Sequence, residues 1–434
     1  AAAATSKDYS AQTFKKGPDY IDPLWLAMAS GQPCYNLDPR QQSEFELAAL
    51  YEQRSESAQI SLVEGTMGLH DGMDISGSDS NAAIAKTLDL PVLLVVDCRG
   101  MHRTVAALLN GLMLFDPDVA FAGVILNRVK TDRHGRKISN AINTYTDLPI
   151  IGEVPEYSEV AIAEQNLGLL PAPDSPEANN TIQSAKALIL DHCDLDALFA
   201  HVPTVEPEQI HDSACNAGST QSSNFRIAIA QDEAFHFYYQ DDLDYLKACG
   251  VELIAFSPMS ECLPANIDGL IIGGGFPEHH AQSLSENEAL KCEIREAISA
   301  GMPVHAECGG LMFLCQTLVT EQGVRWPLAG VINGTIRMRK KPVGRGYIQL
   351  AELDAPDHPF WAHEFHHSEV VFDSPPEFVY RVKRGHGIDG QHDGVRVHNA
   401  IASYAHFRQS ASTPWIDNFL ARVREQKIGL SNYV

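Results

Sequence analysis

One cysteine of this chain lies where a strand is expected to turn into a helix. The segment Pro303-Val-His-Ala-Glu-Cys308-Gly-Gly310 joins an apolar run to two glycines, and Leu311 to Leu318 predicts the helix that follows. Such a turn raises a thiol above a sheet edge, beside helical N–H groups that stabilise a thiolate or an oxyanion. Most free cysteines are buried structural residues, which is our interpretation of the other eight. The context of Cys308 predicts a nucleophile instead.

A nucleophilic cysteine needs donors for an oxyanion and a base for its proton. The turn Gly273-Gly-Gly275-Phe-Pro-Glu278 follows a predicted strand, and its glycines let peptide N–H groups approach a ligand closely. We therefore expect Gly275 and Gly309 to supply the two oxyanion donors. His406, in Ala-Ser-Tyr-Ala-His406-Phe, is a candidate base, because an imidazole can accept the proton and later activate water. Its spacing alone does not separate it from ordinary surface or core histidines.

Length and composition predict a cytoplasmic enzyme of two or three domains. The 434 residues are 44% hydrophobic and carry a formal net charge of −24, which opposes non-specific binding to nucleic acid. No run is long and apolar enough to span a bilayer, and no signal peptide is visible at Ala1 to Ser6. Nine cysteines without a CxxC pair favour a reducing compartment over disulfides or structural zinc. We expect neither a nucleic-acid nor a membrane partner.

Alternating apolar and helical segments predict two doubly wound α/β domains. The first half has expected strands at 61–63, 92–96 and 122–126 and expected helices at 80–88 and 102–114. The second half has expected strands at 226–230, 252–256 and 269–272 and an expected helix at 241–249. We place the two domains at residues 1–200 and 225–434. Residues 201–224, where Pro, Ser, Gly and Asn dominate and periodicity vanishes, are the predicted linker.

Four acidic residues of the first half lie in two segments that could hold a nucleotide's metal. Asp19 and Asp22 are three residues apart in Phe-Lys-Lys-Gly-Pro-Asp-Tyr-Ile-Asp-Pro, while Glu64 and Asp71 lie just past a predicted strand end. That edge is where ligands bind in open α/β sheets, and a carboxylate there can hold Mg²⁺ or its waters. The alternative for each residue is ordinary surface charge or helix capping.

The motifs of both halves, in their order, resemble the cobyrinic acid a,c-diamide synthases, in which a P-loop amidoligase is fused to a class I glutamine amidotransferase domain. The second half carries QDEAFHFYY at 231–239, GGGFPE at 273–278, AECGG at 306–310, HEFHHS at 363–368 and SYAH at 403–406. The first half carries FKKGPDYIDP at 14–23, NLDP at 36–39, VEGTMGLHDG at 63–72, VVD at 95–97, GVILNRV at 123–129 and LGL at 167–169. The resemblance covers nearly the whole chain.

The resemblance implies that Cys308 attacks the side-chain amide of glutamine, forms a thioester and releases ammonia, with His406 as its base. In that family the histidine is usually followed by Leu-His-Phe, whereas Phe407-Arg408-Gln409 follow it here. His366, in the HEFHHS motif, is therefore kept as an alternative base. The third member of the triad is left open.

For the first half, the resemblance implies a dethiobiotin-synthetase-like P-loop fold that uses ATP and Mg²⁺. It places Asp19, Asp22, Glu64 and Asp71 around the metal, the phosphates and the reacting carboxylate, with Glu64 as the Mg²⁺ ligand. Lys15 and Asn127 are its expected nucleotide-binding residues, Asn127 at the adenine. No G-x-x-x-x-G-K-[ST] loop occurs in the sequence. We expect that the first strand and this loop, roughly two dozen residues, precede Ala1 in the full protein.

A basic cluster in this acidic protein predicts where a polycarboxylate substrate binds. Arg337, Arg339 and Arg345 lie within nine residues of one another, and Arg side chains match carboxylates bidentately. The family's substrate is a tetrapyrrole or corrinoid, so we expect these arginines to hold its peripheral carboxylates. A solvated hairpin face explains the cluster equally well, whereas the missing aromatic interleaving opposes a nucleic-acid role.

The expected reaction is the ATP- and glutamine-dependent amidation of two acetate side chains of cobyrinic acid, through an acyl phosphate. Hydrogenobyrinic acid, nickel-sirohydrochlorin and sirohaem stay open as alternative rings, because the ATP and glutamine motifs do not distinguish them. Two other classes are a non-catalytic P-loop nucleotide switch and a stand-alone glutaminase or cysteine hydrolase. Cys308 with its glycine turn argues against the first, and the acidic set argues against the second. A homodimer is among the expected assembly states.

Overall fold

The computed structural model describes residues 1–157, 160, 162, 164–165, 168–169, 177–202 and 224–431. The chain divides into two compact α/β units, Ala1–Cys215 and Asn216–Val434. The predicted linker lies almost wholly outside the described residues, as does the start of the LGL motif at Leu167. In the described part of the chain, no helix is both long enough and apolar enough to cross a membrane.

The first unit alternates strands and helices, as its apolar runs predicted. Its strands are β1 (Ala11–Lys16), β2 (Cys34–Leu37), β3 (Ile60–Glu64), β4 (Val92–Asp97), β5 (Phe121–Val129), β6 (Ile150–Pro155), β7 (Glu164–Gln165) and β8 (Gly168–Leu169). Its helices are α1 (Ala2–Thr5), α2 (Asp22–Ser30), α3 (Glu44–Ser55), α4 (Asn81–Thr87), α5 (Thr104–Phe115), α6 (Asp132–Tyr145), α7 (Ala178–His192) and α8 (Leu195–His201). The three strands and two helices predicted in this half are thus confirmed.

Parallel pairing brings the carboxyl ends of the first unit's strands together. The described strands form two parallel three-stranded sheets, in the orders β2-β1-β3 and β4-β5-β6, and an antiparallel β7-β8 ladder. Strand β1 is buried along almost its whole length, because Phe14 packs with Tyr35 and Leu37 in the apolar core. Its penultimate residue, Lys15, is paired in register with Glu64 at the end of β3. The fold therefore brings a buried cation beside a carboxylate.

The second unit is built on a larger mixed sheet. Its helices are α9 (Gln240–Ala248), α10 (Ala281–Glu286), α11 (Glu288–Ser299), α12 (Gly309–Leu314) and α13 (Trp415–Ser431). Its strands are β9 (Phe225–Ala230), β10 (Val251–Phe256), β11 (Gly269–Ile272), β12 (Val304–Glu307), β13 (Cys315–Val319), β14 (Arg325–Pro327), β15 (Ile332–Met338), β16 (Gly344–Glu352), β17 (Phe360–His366), β18 (Ser368–Phe372), β19 (Glu377–Arg384), β20 (His392–Val397) and β21 (Ala400–Ser403).

The order of the large sheet brings two distant segments side by side. Nine strands run β10-β9-β11-β12-β21-β20-β19-β16-β17, and β14-β13-β15-β18 form a second sheet. Strand β12 pairs in parallel with β21, with Glu307 opposite Ser403. Because parallel strands end at the same edge, the residues that follow β12 and β21 meet there. Cys308 and His406 are among those residues.

The helix predicted at Leu311 to Leu318 is wrong in its second half. Helix α12 ends at Leu314, and β13 begins at Cys315. Strand β13 buries Cys315 and Leu318 while it pairs with both β14 and β15. These tertiary pairings outweigh the local apolar pattern, which by itself fits either a buried helix or a strand.

Arg408 is fully buried and ties the segment after β21 to helix α9. Its Nε and Nη2 donate to Asp241 Oδ2 at 3.0 and 2.8 Å, and its guanidinium lies over the Tyr239 ring. The neighbouring Asp242 accepts hydrogen bonds from the Gln409 amide and the Trp415 indole. Burial and the Asp241 charge raise the pKa of Asp242 well above its ordinary range, and Arg408 opposes this rise. The departure from the family motif at residues 407–409 is therefore accommodated by a buried ion pair.

We expect Arg408→Ala to lower the free energy of unfolding by about 3–5 kcal/mol, because it leaves buried carboxylates without their counter-charge. Urea unfolding followed by tryptophan fluorescence measures the loss, since the Trp415 indole is hydrogen-bonded to Asp242 beside this ion pair. The matched control is Lys427→Ala, which breaks an ion pair between the half-exposed Lys427 and Asp268 and should cost no more than about 1 kcal/mol. Equal losses in the two variants would contradict this account.

Candidate active sites

The backbone at Cys308 is held in a strained turn. Cys308 has φ 45° and ψ −97°, which a non-glycine residue adopts only when its surroundings enforce it. The enforcing contacts include a hydrogen bond from its N–H to the Ser403 carbonyl at 2.7 Å. A Cβ at Gly310 would lie 2.2 Å from the Ile272 carbonyl oxygen, so the second glycine is needed for close packing on β11. The thiol itself lies 3.7 Å from the carbonyl oxygen of Phe365.

His406 is the imidazole that the fold brings to this thiol. Its backbone pairs with His363 through N–H to O=C bonds of 2.7 and 3.1 Å, which fixes the segment after β21 against β17. Burial disfavours the imidazolium, but the hydrogen-bonded Cys308 thiol and the Glu307 carboxylate outweigh it and raise the pKa of His406 to about 9. Burial and the charge of His406 lower the pKa of His363 to about 3, so this neighbour stays neutral.

Glu307 is a member of the site that the sequence analysis missed. Its Oε2 lies 3.4 Å from His406 Nδ1, while its Oε1 lies 2.8 Å from His305 Nε2 and accepts the Phe407 N–H at 3.1 Å. Burial opposes its charge, but the hydrogen bonds to His305 and His406 prevail and lower the pKa of Glu307 to about 2. The available signal was the alternation His-x-Glu directly before the cysteine, which puts both side chains on one face of a strand.

The predicted oxyanion glycines lie next to each other at the same edge. A Cβ built on Gly309 would be 3.2 Å from the Gly275 nitrogen, and one on Gly274 would be 2.3 Å from Cε1 of His406. The turn is held from the segment before α9, since the His236 and Phe237 N–H groups each donate to the Gly274 carbonyl at 3.1 Å. The Gly274–Gly275 turn therefore packs against both Gly309 and the His406 ring.

His366, the alternative base, is occupied in a separate buried group. Its Nδ1 lies 2.8 Å from the Ser368 carbonyl oxygen, its Nε2 lies 3.7 Å from a Glu364 oxygen, and its ring stacks on Tyr404 at 3.7 Å. Glu364 in turn accepts the N–H groups of His386 and Gly387. These contacts favour His406 over His366 as the partner of the thiol.

In the first unit, Lys15 gathers three of the four predicted acidic residues. Its Nζ lies 2.6 Å from Asp22 Oδ2, 2.9 Å from Glu64 Oε1 and 3.9 Å from Asp19 Oδ2. Burial opposes the ammonium group, but Glu64 and Asp22 outweigh it and raise the pKa of Lys15. Burial and the Asp22 charge raise the pKa of Asp19, while Lys15 opposes the rise. The fold therefore brings these three carboxylates together around one buried ammonium group at a strand end.

The other two predicted residues of this unit lie elsewhere on it. Asp71 is exposed in the loop after β3, where it accepts the Gly68 N–H at 3.2 Å and acts electrostatically on Lys16. Asn127 lies near the end of β5, in the second three-stranded sheet, and accepts the Arg128 N–H at 2.9 Å. The described contacts of Asp71 and Asn127 do not join them to Lys15.

The carboxylates around Lys15 are oxygen donors of the kind that Mg²⁺ takes at nucleotide sites. No group of three or more His, Cys, Asp or Glu among the described residues is arranged to hold a metal. Mg²⁺ at nucleotide sites keeps several waters and takes one or two carboxylates together with phosphate oxygens. Glu64, whose side chain is 43% exposed, and Asp22 are donors of the required kind.

The basic cluster of the second unit is divided between strands of two different sheets, β15 and β16. Arg337 is exposed on β15, and Arg339 forms an ion pair with Glu369 just beyond that strand. Arg345 is exposed on β16, with its guanidinium 5.9 Å from the centre of the Phe365 ring. Arg345 is the register partner of Phe365, whose carbonyl oxygen contacts the Cys308 thiol.

Comparison with known proteins matches both halves of the chain. Residues 226–413 match the family described as a CobB/CobQ-like glutamine amidotransferase domain, and residues 3–163 match an AAA domain. A cobyrinate a,c-diamide synthase of Magnetococcus marinus is 40% identical over 431 residues, which cover 97% of this chain and 92% of the relative. One of Listeria monocytogenes serovar 1/2a is 38% identical and covers 91% and 88%. A solved glutamine amidotransferase, 16% identical, covers 46% of this chain and 98% of its own, with a TM-score of 0.33.

We expect Gly274→Ala to slow the alkylation of Cys308 by iodoacetamide at pH 7 by about tenfold, because the reactive thiolate would lose the imidazolium beside it. The added methyl group would occupy the position of the His406 ring and push it from the thiol. Peptide mass spectrometry separates modification of Cys308 from that of the other cysteines. Gly429→Ala, where a Cβ meets nothing within 4 Å, serves as the control. An unchanged alkylation rate would show that the ring is not held as described.

Proposed function

This chain belongs to the cobyrinate a,c-diamide synthase family, and from that membership we propose that it amidates the a and c acetate side chains of cobyrinic acid. It is an α/β ligase with a nucleotide-binding P-loop-type unit and a glutamine amidotransferase unit that supplies the amide nitrogen. The observation that supports the proposal most directly is the strained turn that sets the Cys308 thiol against His406 and the Gly274–Gly275 backbone.

In the second unit, the proposed reaction is the release of ammonia from glutamine. His406 takes the thiol proton, and the Cys308 sulfur attacks the side-chain amide carbon. The N–H groups of Gly275 and Gly309 hold the oxyanion that forms. The carbon–nitrogen bond then breaks, and the proton on His406 leaves with ammonia. Water, deprotonated by the now neutral imidazole, attacks the thioester; collapse of the second oxyanion returns glutamate and the thiol.

In the first unit, the proposed reaction is activation of the substrate's carboxylate. A carboxylate oxygen attacks the γ-phosphorus of ATP, ADP leaves, and ammonia then displaces phosphate from the acyl phosphate to give the amide. Lys15 would hold the negative charge of the phosphoryl group or of the carboxylate, with Asp19 and Asp22 fixing its position. Mg²⁺, held through Glu64 and Asp22, would neutralise phosphate oxygens. Asp71 and Asn127 remain proposed nucleotide-site residues.

The substrate of the proposed reaction is a macrocycle with many carboxylates. Arg337, Arg339 and Arg345 are its proposed anchors, because guanidinium groups bind carboxylates in a bidentate manner. Their excess of positive charge stands out in a chain with a formal net charge of −24. An amidation assay with the alternative rings would detect the same chemistry on another tetrapyrrole.

We expect Cys308→Ser to lose glutamine-driven amidation by at least about 10³-fold while amidation driven by an ammonium salt persists. The assay supplies ATP, Mg²⁺ and cobyrinic acid, or one of the alternative rings, and detects by mass spectrometry the replacement of each hydroxyl by an amino group. Cys292→Ser, at an exposed cysteine of α11, is the control. Amidation of no ring by the unmodified protein would refute the proposed ligase reaction. If Cys308→Ser also lost the ammonium-driven reaction, Cys308 would not act only in a separate step that releases ammonia from glutamine.

Replacing Arg345 by Ala should raise the KM for the macrocycle by about tenfold, the value of one charge-assisted contact at an exposed site. The same change at Arg337 or Arg339 should have an effect of similar size or smaller, because Arg339 is already paired with Glu369. Steady-state rates at saturating ATP and glutamine give the KM. Arg226→Ala, which removes an exposed ion pair with Glu252, is the control. Unchanged KM values in all three variants would remove the arginines from substrate binding.

A further inference from the structure

His305 and Glu307 lie on strand β12, which leads directly to Cys308, and Glu307 contacts the ring of the proposed base His406. Strand β12 ends His305-Ala-Glu307, so the two side chains project from the same face, one pleat apart. Glu307 reaches His406 with one oxygen at 3.4 Å and His305 with the other at 2.8 Å. All three side chains are nearly closed to solvent. Contacts therefore run in series from the Cys308 thiol to the His406 ring, then to the Glu307 carboxylate and finally to the His305 ring.

We propose that Glu307 and His305 are positioning residues of the glutaminase reaction: Glu307 orients and charges His406, and His305 holds Glu307. The inference rests on the proposed function, since it assigns the third and fourth members of the group that splits glutamine. A carboxylate bonded to the far nitrogen of an imidazole fixes the ring orientation and stabilises the imidazolium that forms when the thiol gives up its proton. Glu307 stays ionised throughout and never receives that proton.

Other acidic residues near the base are already occupied by different partners. The residue two positions after His406 is Arg408, a cation bound to Asp241. Asp393 accepts the Ser403 hydroxyl and the N–H groups of Tyr404 and Ala405, so it holds the segment that leads to the base. These contacts leave Glu307 as the described carboxylate that reaches the His406 ring.

The groups that face the base determine the sign of its response to pH. His406 contacts the Cys308 thiol and Glu307, with the neutral His363 ring 6.4 Å away across the β17 bridge. Glu307 supplies the negative charge among these neighbours and favours the imidazolium. The His305 ring stacks on the Trp415 ring of helix α13, with 4.2 Å between the ring centres, and this contact holds His305 in place. Neutralising Glu307 should therefore lower the pKa of His406 and weaken its support of the thiolate.

The test compares Glu307→Gln with the matched control Glu293→Gln. Glu293 lies on α11 and, like Glu307, accepts a backbone N–H from a distant segment, in this case that of Leu263 at 2.7 Å. Two quantities are measured on the full chain: the rate of Cys308 alkylation by iodoacetamide as a function of pH, and kcat and KM for glutamine hydrolysis. The first needs no glutamine turnover, so it reports on Glu307 even if the proposed function is wrong.

We expect Glu307→Gln to slow Cys308 alkylation at pH 7 by about tenfold and to lower kcat by about 10²-fold or more, with KM for glutamine little changed. A merely structural role would instead lower the folded fraction and leave both rates normal in the folded protein. His305→Gln, whose side-chain amide can donate a hydrogen bond from the position of the His305 Nε2, should retain more kcat than His305→Phe. The proposal is overturned if Glu307→Gln folds and matches Glu293→Gln in both measurements. It is also overturned if His305→Phe retains as much kcat as His305→Gln.

Discussion

The parallel pairing of β12 with β21 is the contact on which the second unit's chemistry depends. It carries Glu307 opposite Ser403, so the thiol that ends one strand and the imidazole that follows the other meet at a shared edge. The hydrogen bond from the Cys308 N–H to the Ser403 carbonyl fastens this edge where the backbone is most strained. Residues almost a hundred positions apart in sequence are brought together by four paired positions.

The same arrangement recurs in the first unit with different chemistry. There β1 and β3 bring Lys15 opposite Glu64, and the start of α2 adds Asp22. In both units the charged group is buried next to its counter-charge, because an isolated charge at that depth is strongly disfavoured. The carboxylates around Lys15 therefore keep its ammonium group protonated despite its burial.

Much of the fold follows from local patterns, and the misses have identifiable causes. Apolar, β-branched runs predicted β3, β4 and β5, but only β5 is buried along most of its length, because Leu62 of β3 and Val95 of β4 are exposed. The glycines beside Cys308 identified the turn, since close approach there excludes a side chain. The helix predicted through Leu318 failed because β13 is decided by partners distant in sequence. Local apolar pattern cannot report those partners.

The site was predictable only where a residue type implies its own role. Cysteine, histidine and glycine in their motifs indicated Cys308, His406 and Gly275. Glu307 was not predictable, because a carboxylate gains its role only from what it contacts, here one imidazole on its own strand and another in the segment after β21. The gathering of Asp19, Asp22 and Glu64 by Lys15 likewise depends on strand register, which sequence patterns specify weakly.

The groups of the proposed glutaminase site that come from β12 and the turn after it lie within four consecutive positions, from His305 to Cys308. Because side chains alternate along a strand, sliding β12 by one residue against β21 would turn Glu307 and His305 to the opposite face and withdraw the thiol together with them. The nucleophile and the groups behind its base can therefore be gained or lost only as a set. In a partly assembled second unit, Cys308 would be an ordinary thiol without the imidazole that supports its thiolate.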